Sequence, residues 1–102
     1  MSDINKKAAD GINEFGKSFR VLLVDDSAFV VKQLQQILVS EQYTVIGTAE
    51  NGEEGVMMYK ELKPDLVTMD ITMPKMDGIT ALTKIIEFDK NAKVVMVSAL
   101  GK

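Results

Sequence analysis

The chain has 102 residues, 46% of them hydrophobic, which is enough for one domain with a core and too few for two. Twelve basic and fifteen acidic residues leave a net charge of −3, which argues against a general affinity for nucleic acid or for an anionic membrane surface. Because cysteine and histidine are both absent, disulfide frameworks, thiolate or imidazole metal sites and serine-histidine-aspartate triads are excluded, and any chemistry must use carboxylates, hydroxyls, lysines and backbone groups.

Residues 1–18 have the composition of a tail. Three large apolar side chains, Ile4, Ile12 and Phe15, are scattered among polar residues, and three lysines balance three acids. We therefore expect a flexible segment or a loose helix that precedes a domain over 19–102. The start has no apolar block typical of a secretory signal, and the longest aliphatic runs are far too short for a bilayer span, so we expect a cytoplasmic protein.

The first predicted strand is the aliphatic run 21–24, whose continuity suits a strand buried on both faces. It ends abruptly at two acids, Asp25 and Asp26. From Ser27 onward, apolar residues recur at helical spacing with lysine and glutamines between them. This pattern predicts an amphipathic helix that ends near residue 40.

The next predicted elements repeat this alternation of strand and helix. A β-branched strand is expected at 43–47, and a turn at Asn51 opens a helix to about residue 62. Pro64 prevents that helix from continuing. The remaining predictions are a strand over 65–70, a loop over 71–77 with Pro74, a helix marked by Ile79, Leu82, Ile85 and Ile86, and a strand over 93–98.

Four predicted strands alternating with three helices indicate an α/β fold with a doubly wound parallel sheet and right-handed crossovers. A sheet of this kind has helices over both faces. No helix follows the last predicted strand in the sequence, so we expect part of one face and one hydrogen-bonding edge to be uncovered.

Acidic and hydroxyl side chains follow three of the predicted strands. Asp25 and Asp26 end the first strand, Asp70 ends the third and Ser98 ends the fourth. If the first and third strands are neighbours, their ends lie about 5 Å apart and the three carboxylates converge. Carboxylates this close raise each other's pKa unless a cation neutralises them, and oxygen ligands suit a hard ion such as Mg²⁺.

The same geometry leaves one carboxylate free to act as a nucleophile, and Asp70 is the candidate. Thr72, two residues further on, is placed to offer its carbonyl to the metal and its N–H to a phosphoryl group. Ser98 is placed to donate a hydrogen bond to a phosphoryl oxygen. The small side chain of Ala99 leaves room for that group to enter.

Plainer interpretations compete with this one. Asp25, Asp26 and Ser27 are residue types that also cap helices, although capping does not explain acids at several strand ends at once. Two other functions are a Mg²⁺ phosphatase with an aspartyl nucleophile, which usually has a second acid where Thr72 stands, and a nucleotide or flavin binder, which lacks its Gly-rich loop here. The last alternative is an inert structural or domain-swapped fragment.

Three stretches, 21–27, 67–74 with Asp77 and Gly78, and 94–99, resemble the receiver domains of two-component response regulators, and among them the CheY-like chemotaxis regulators. The resemblance implies a flavodoxin-like sheet of order 2-1-3-4 and a non-enzymatic domain that is phosphorylated on Asp70 by a histidine kinase. It also implies a Mg²⁺ site and a switch hydroxyl. The implied metal ligands are Asp25, Asp26, Asp70 and the carbonyl of Thr72; the implied phosphate contacts are Thr72, Ser98 and Ala99, with Ser98 as the switch hydroxyl.

The sequence departs from the family pattern at its end. Receivers carry a fifth strand with a lysine at its tip, preceded and followed by helices, and Lys102 lies too close to Ser98 to be that lysine. We therefore expect a partial receiver over 19–102. The partners this implies are the kinase, an output protein such as the flagellar motor switch, and a second copy paired through the edge of the fourth strand, with no nucleic acid or membrane partner.

Overall fold

A computed structural model describes residues 11–98 of the chain, and within them strands and helices alternate as predicted. In chain order the elements are β1 (Arg20–Val24), α1 (Ala28–Ser40), β2 (Thr44–Ala49), α2 (Gly52–Leu62), β3 (Leu66–Asp70), α3 (Gly78–Phe88) and β4 (Val94–Val97). All three strand pairs are parallel, and the order is β2-β1-β3-β4. The predicted doubly wound sheet of order 2-1-3-4 is confirmed.

The strand order places the helices on opposite faces of the sheet. The chain moves from β1 to β2 on one side and then crosses to β3 and β4 on the other. Because crossovers between parallel strands are right-handed, α1 lies on one face, while α2 and α3 lie on the other. The reversal falls between β1 and β3, which is where doubly wound sheets bind their ligands.

The core lies mainly between the sheet and the pair α2 and α3. β1 runs through the middle of the sheet, and its side chains from Val21 to Val24 are fully buried, as expected for a continuous aliphatic run. Tyr59 on α2 donates a hydrogen bond to Asp89 after α3, at 2.8 Å. The buried cluster comprises Leu22, Val24, Ala49, Val56, Tyr59, Val67, Met69, Met73, Ala81 and Ile85.

The opposite face is covered less well. None of the thirteen residues of α1 is buried, and Phe29 and Ile37 are 69% and 59% exposed. On the same side of the sheet, Val95 of β4 is 50% exposed. Within residues 11–98, β4 pairs with β3 only, so its outer edge has no strand beside it.

The segment 11–18, predicted as part of the tail, forms a closed turn against the loop between α1 and β2. Ile12 and Ser18 form an antiparallel bridge, and the Ser18 hydroxyl donates to the Gln42 carbonyl at 2.6 Å. Gly11 is buried against this loop: its N–H donates to the carbonyl of Glu41, and a Cβ at this position would overlap the backbone of the loop. The rest of the predicted tail, and Ala99, lie outside the described residues.

No helix in the described part of the chain has the length and apolar character needed to cross a membrane.

Candidate phosphoacceptor site

Three carboxylates meet at the ends of the two central strands. β1 and β3 are neighbours with Val24 opposite Met69, so the residues that follow, Asp25 and Asp70, lie side by side. One oxygen of each of Asp25, Asp26 and Asp70 lies within 4.8 Å of the others. Asp25 and Asp70 are each only 6% exposed, whereas Asp26 is exposed. The predicted convergence of carboxylates at these strand ends is present.

The competing interpretation, helix capping, applies to Ser27 and not to the two aspartates. The Ser27 hydroxyl accepts a hydrogen bond from the Val30 N–H at 3.2 Å and is the N-cap of α1. Asp25 accepts a hydrogen bond from the Ser27 N–H at 2.8 Å, which orients its carboxylate. The helix N-terminus is thus capped by a hydroxyl, and the acids remain directed to the pocket between the strands.

Burial and mutual repulsion raise the pKa of the two buried acids. For Asp70, burial raises the pKa most, the charges of Asp25 and Asp26 add to it, and the N–H groups of Thr72 and Ile71 oppose it. For Asp25, burial again raises the pKa most, the Ser27 N–H opposes the rise and the Asp26 charge adds to it. A raised pKa means that the ionised form of each acid is destabilised. A cation bound between the acids would stabilise the ionised forms.

The donor set fits Mg²⁺. All three side chains offer carboxylate oxygens, which hard divalent ions prefer, and one of them is exposed so that water ligands have room. Within residues 11–98, the charged groups that shift the pKa of Asp70 are acids. A divalent cation would neutralise a cluster that these residues leave uncompensated.

A single pocket collects the remaining predicted residues that the structure describes. Thr72, on the loop after β3, and Ser98, after β4, line it together with the three acids. Ser98 is exposed and free to meet a ligand. The Ile71 N–H donates to the Val97 carbonyl at 3.2 Å, which holds the loop after β3 against the end of β4.

The sequence analysis missed one wall of this pocket. Phe29, Val30 and Gln33, in the first turns of α1, line it beside the acids. The sequence did contain a sign of this wall. A helix that begins two residues after Asp26 brings its first turns close to the strand end. Helical periodicity indicates which side chains of this helix are apolar, but it gives no reason to single out the residues of its first turns as part of a site.

The chain is similar to known receiver proteins over most of its length. A family model described as the response regulator receiver domain matches residues 21–102. The chemotaxis protein CheY of Treponema pallidum is 63% identical over 101 residues, which are 97% of this chain and 70% of that protein. CheY of Thermotoga maritima is 54% identical over 83 residues, which are 81% of this chain and 69% of that protein.

A solved structure shows the same similarity. The chain matches a crystal structure of the CheX-CheY-BeF3-Mg complex from Borrelia burgdorferi with a TM-score of 0.86 and 60% identity. The match covers 91% of this chain and 72% of the other. Extent, identity and fold thus agree, and the chain belongs to the response regulator receiver domain family.

Proposed function

We propose that this receiver is the phosphoacceptor of a two-component chemotaxis system and that Asp70 is the residue phosphorylated. The observation that carries the proposal is the meeting of three carboxylates from β1 and β3, two of them nearly buried, in one pocket with Thr72 and Ser98. Asp70 ends β3, the strand that pairs with β4, and lies opposite Val97, the residue before Ser98. Similarity to CheY proteins supplies the chemotaxis context.

Asp25, Asp26, Asp70 and the Thr72 carbonyl would hold Mg²⁺. When bound, the ion would neutralise the charge that accumulates on the phosphoryl oxygens during transfer. The same ion would counteract the burial and the repulsion that raise the pKa of Asp70 and so keep its carboxylate ionised. The Borrelia structure described above contains Mg together with BeF3, which supports this choice of metal.

Asp70 would act as a nucleophile. One carboxylate oxygen attacks phosphorus, a P–O bond forms, and the P–N bond to the kinase histidine breaks, with its electron pair remaining on the imidazole nitrogen. Ser98 would donate its hydroxyl proton in a hydrogen bond to a phosphoryl oxygen, and the Thr72 N–H would do the same. We infer that the chemistry of this domain is confined to gaining and losing its own phosphoryl group.

The phosphorylated state would be read by another protein. The added charge at the strand ends would draw Ser98 toward the phosphoryl group and change the surface next to β4. We infer a cytoplasmic histidine kinase as donor, and as reader either the flagellar motor switch or a protein like the CheX bound to the Borrelia CheY. The net charge of −3 supports protein partners over nucleic acid.

Intact-mass spectrometry tests the assignment directly. The protein is incubated with Mg²⁺ and a small phosphodonor, and we expect one phosphoryl adduct that is lost when EDTA removes the metal. Asp70→Asn should give no adduct, and Asp65→Asn, an acid before β3 and away from the pocket, should behave as wild type. An adduct that persists in Asp70→Asn would overturn the assignment.

The phosphatase alternative has a separate outcome. An aspartyl phosphatase usually carries a second acid two residues after its nucleophile, and this position is Thr72. Sustained hydrolysis of a phosphomonoester, abolished in Asp70→Asn, would support the phosphatase and contradict the receiver function. No adduct and no response to Mg²⁺ would leave the inert fragment.

A further inference from the structure

The loop that carries Thr72 is fastened to the neighbouring helix by one backbone hydrogen bond. The N–H of Gly52, the first residue of α2, donates to the carbonyl of Met76 at 3.0 Å. The N–H of Gly78, at the other end of the loop, donates to the Ile71 carbonyl at 2.7 Å. The loop 71–77 is therefore closed on itself and also tied to α2.

Helix geometry explains why Gly52 can make this bond. The first N–H groups of a helix have no partner inside the helix, and their partial positive charge favours a carbonyl oxygen. Asn51 caps the helix by accepting from the Glu54 N–H at 2.8 Å, and the Glu54 carboxylate accepts from the Glu50 N–H at 2.8 Å. The end of α2 is thus fixed and presents the Gly52 N–H to the loop.

The contact requires glycine for reasons of space. A Cβ on Gly52 would overlap the Met76 carbonyl oxygen and lie 2.9 Å from its carbonyl carbon. Both obstacles are backbone atoms, which cannot rotate away, so any larger residue must push the loop outward. Gly47 differs, because the atoms nearest to a Cβ there all belong to side chains: the flexible end of Met58 at 2.7 Å, Leu62 at 3.2 Å and Leu22 at 3.5 Å.

A displaced Met76 would disturb the site through a short, constrained stretch of chain. The Met76 N–H donates to the Pro74 carbonyl at 2.7 Å, and Lys75 between them adopts a left-handed φ of 68°. Met73 is only 8% exposed and packs in the core, directly after Thr72. Gly78, two residues after Met76, is bonded to the carbonyl of Ile71, the residue before Thr72, so a push at Met76 reaches Thr72 through this closure of the loop as well as along the chain.

We propose that Gly52 is a positioning residue for the phosphoacceptor site: its close backbone contact with Met76 sets the loop that presents Thr72 to the metal and the phosphoryl group. The inference rests on the proposed function of that site. Gly52 itself lines neither the acid cluster nor the pocket around it.

The test compares Gly52→Ala with Gly47→Ala, the same substitution at a glycine that meets only side chains. Both variants are first checked for folding by circular dichroism and thermal melting. Mg²⁺ affinity is then measured by calorimetry and the phosphorylation rate by intact mass at saturating Mg²⁺. For Gly52→Ala we expect affinity to fall about tenfold or more, the usual effect of disturbing groups behind a metal site, and the saturated rate to fall as well. Gly47→Ala should match wild type in both.

The outcomes separate this inference from the function on which it rests. If wild type neither binds Mg²⁺ nor forms an adduct, the proposed function fails. If wild type does both and Gly52→Ala equals Gly47→Ala at matched folding, the positioning role is wrong. Should Gly52→Ala not fold, Asn51→Ala removes only the cap that steadies the helix end, and wild-type Mg²⁺ affinity in that variant would also overturn the inference.

Discussion

The carboxylate of Asp70 is held in an unfavourable place for a charge. It is nearly buried, two other acids act on it, and two backbone N–H groups only partly offset these effects. Such an arrangement lowers the stability of the folded protein but prepares the residue for a cation and for nucleophilic attack. Functional sites often retain unfavourably placed charges of this kind at the expense of stability.

Asp70→Asn should therefore stabilise the metal-free protein. Folding raises the pKa of Asp70 above its ordinary value of 3.8, so the folded protein favours the protonated side chain. The stability that depends on this proton is fully present below pH 3.8 and is lost as the pH rises through the folded pKa and the carboxylate ionises. The variant's advantage should be near zero at about pH 3 and reach about 1 kcal/mol at neutral pH, a usual gain from relieving charge repulsion. Urea unfolding in EDTA, followed by circular dichroism, measures it.

The control for net charge is Glu14→Gln, which also removes one negative charge but at an exposed position outside the pocket. It should change the free energy of unfolding by less than about 0.5 kcal/mol, as most surface substitutions do. Added Mg²⁺ should stabilise wild type and narrow its difference from Asp70→Asn. Equal stability of wild type and Asp70→Asn across this pH range would show that neither burial nor repulsion destabilises the ionised Asp70 carboxylate.

At the level of secondary structure, the sequence predicted β1, β3 and β4 well because each lies on a largely aliphatic run followed or ended by a polar residue. β2 runs over Thr44–Ala49 rather than the predicted 43–47, because Gly47 and Thr48 interrupt its apolar pattern. The sheet topology then places the strand ends together, which is why Asp25, Asp26, Asp70 and Ser98 were expected at one edge, and these residues do line one pocket. The turn over 11–18 was not found, because the hydrogen bonds that hold it against the domain, such as that from Ser18 to Gln42, join residues more than twenty positions apart. Contacts over such distances leave no local pattern in a sequence.

The C-terminal end of α2 is another feature that local sequence patterns do not reveal. Arg20, at the start of β1, donates hydrogen bonds from its two terminal guanidinium nitrogens to the carbonyls of Lys63 and Leu62, at 2.9 Å and 2.7 Å. These bonds satisfy carbonyl groups that a helix leaves free at its C-terminus. The sequence indicated the end of this helix through Pro64, but it gave no sign that an arginine over forty residues earlier would cap it.

Lys63→Gly should stabilise the protein through the same helix end. Lys63 is the C-cap of α2 and adopts a left-handed conformation, with φ 46° and ψ 61°. That conformation costs an L-residue about 1–2 kcal/mol, whereas glycine adopts it without this cost. Glycine makes the unfolded chain more flexible, which reduces the gain in stability by about 0.5–1 kcal/mol. We expect a net gain of about 0.5–1 kcal/mol in the free energy of unfolding, measured by urea titration.

The matched control is Glu61→Gly, two residues earlier and still inside the helix. Glycine has no conformational advantage there, so this variant should lose about 1 kcal/mol. The same substitution on either side of the helix end should thus change stability in opposite directions. If Lys63→Gly also destabilises the protein, the backbone of Lys63 is not strained in solution.

At the scale of the whole molecule, the two faces of the sheet are covered unequally. Among residues 11–98, α2 and α3 bury one face, while α1 is the helix on the other face and has no buried residue. The two outer strands also differ: the exposed residues of β2 are Thr44 and Thr48, whereas β4 exposes Val95. An unpaired strand edge with an exposed β-branched side chain is a template for pairing with another chain.

We therefore expect the 102-residue chain to self-associate through β4. Sedimentation velocity over a range of concentrations should show a mass that rises above the monomer, because pairing of two β4 edges satisfies backbone groups and covers Val95 in both copies. Val95→Lys should weaken the association, since a lysine on an edge strand opposes pairing. Phe15→Lys, the same type of change at a 78% exposed residue of the N-terminal turn, should leave it unchanged. A monomer at every concentration would contradict the prediction, and equal weakening by both variants would place the contact elsewhere than β4.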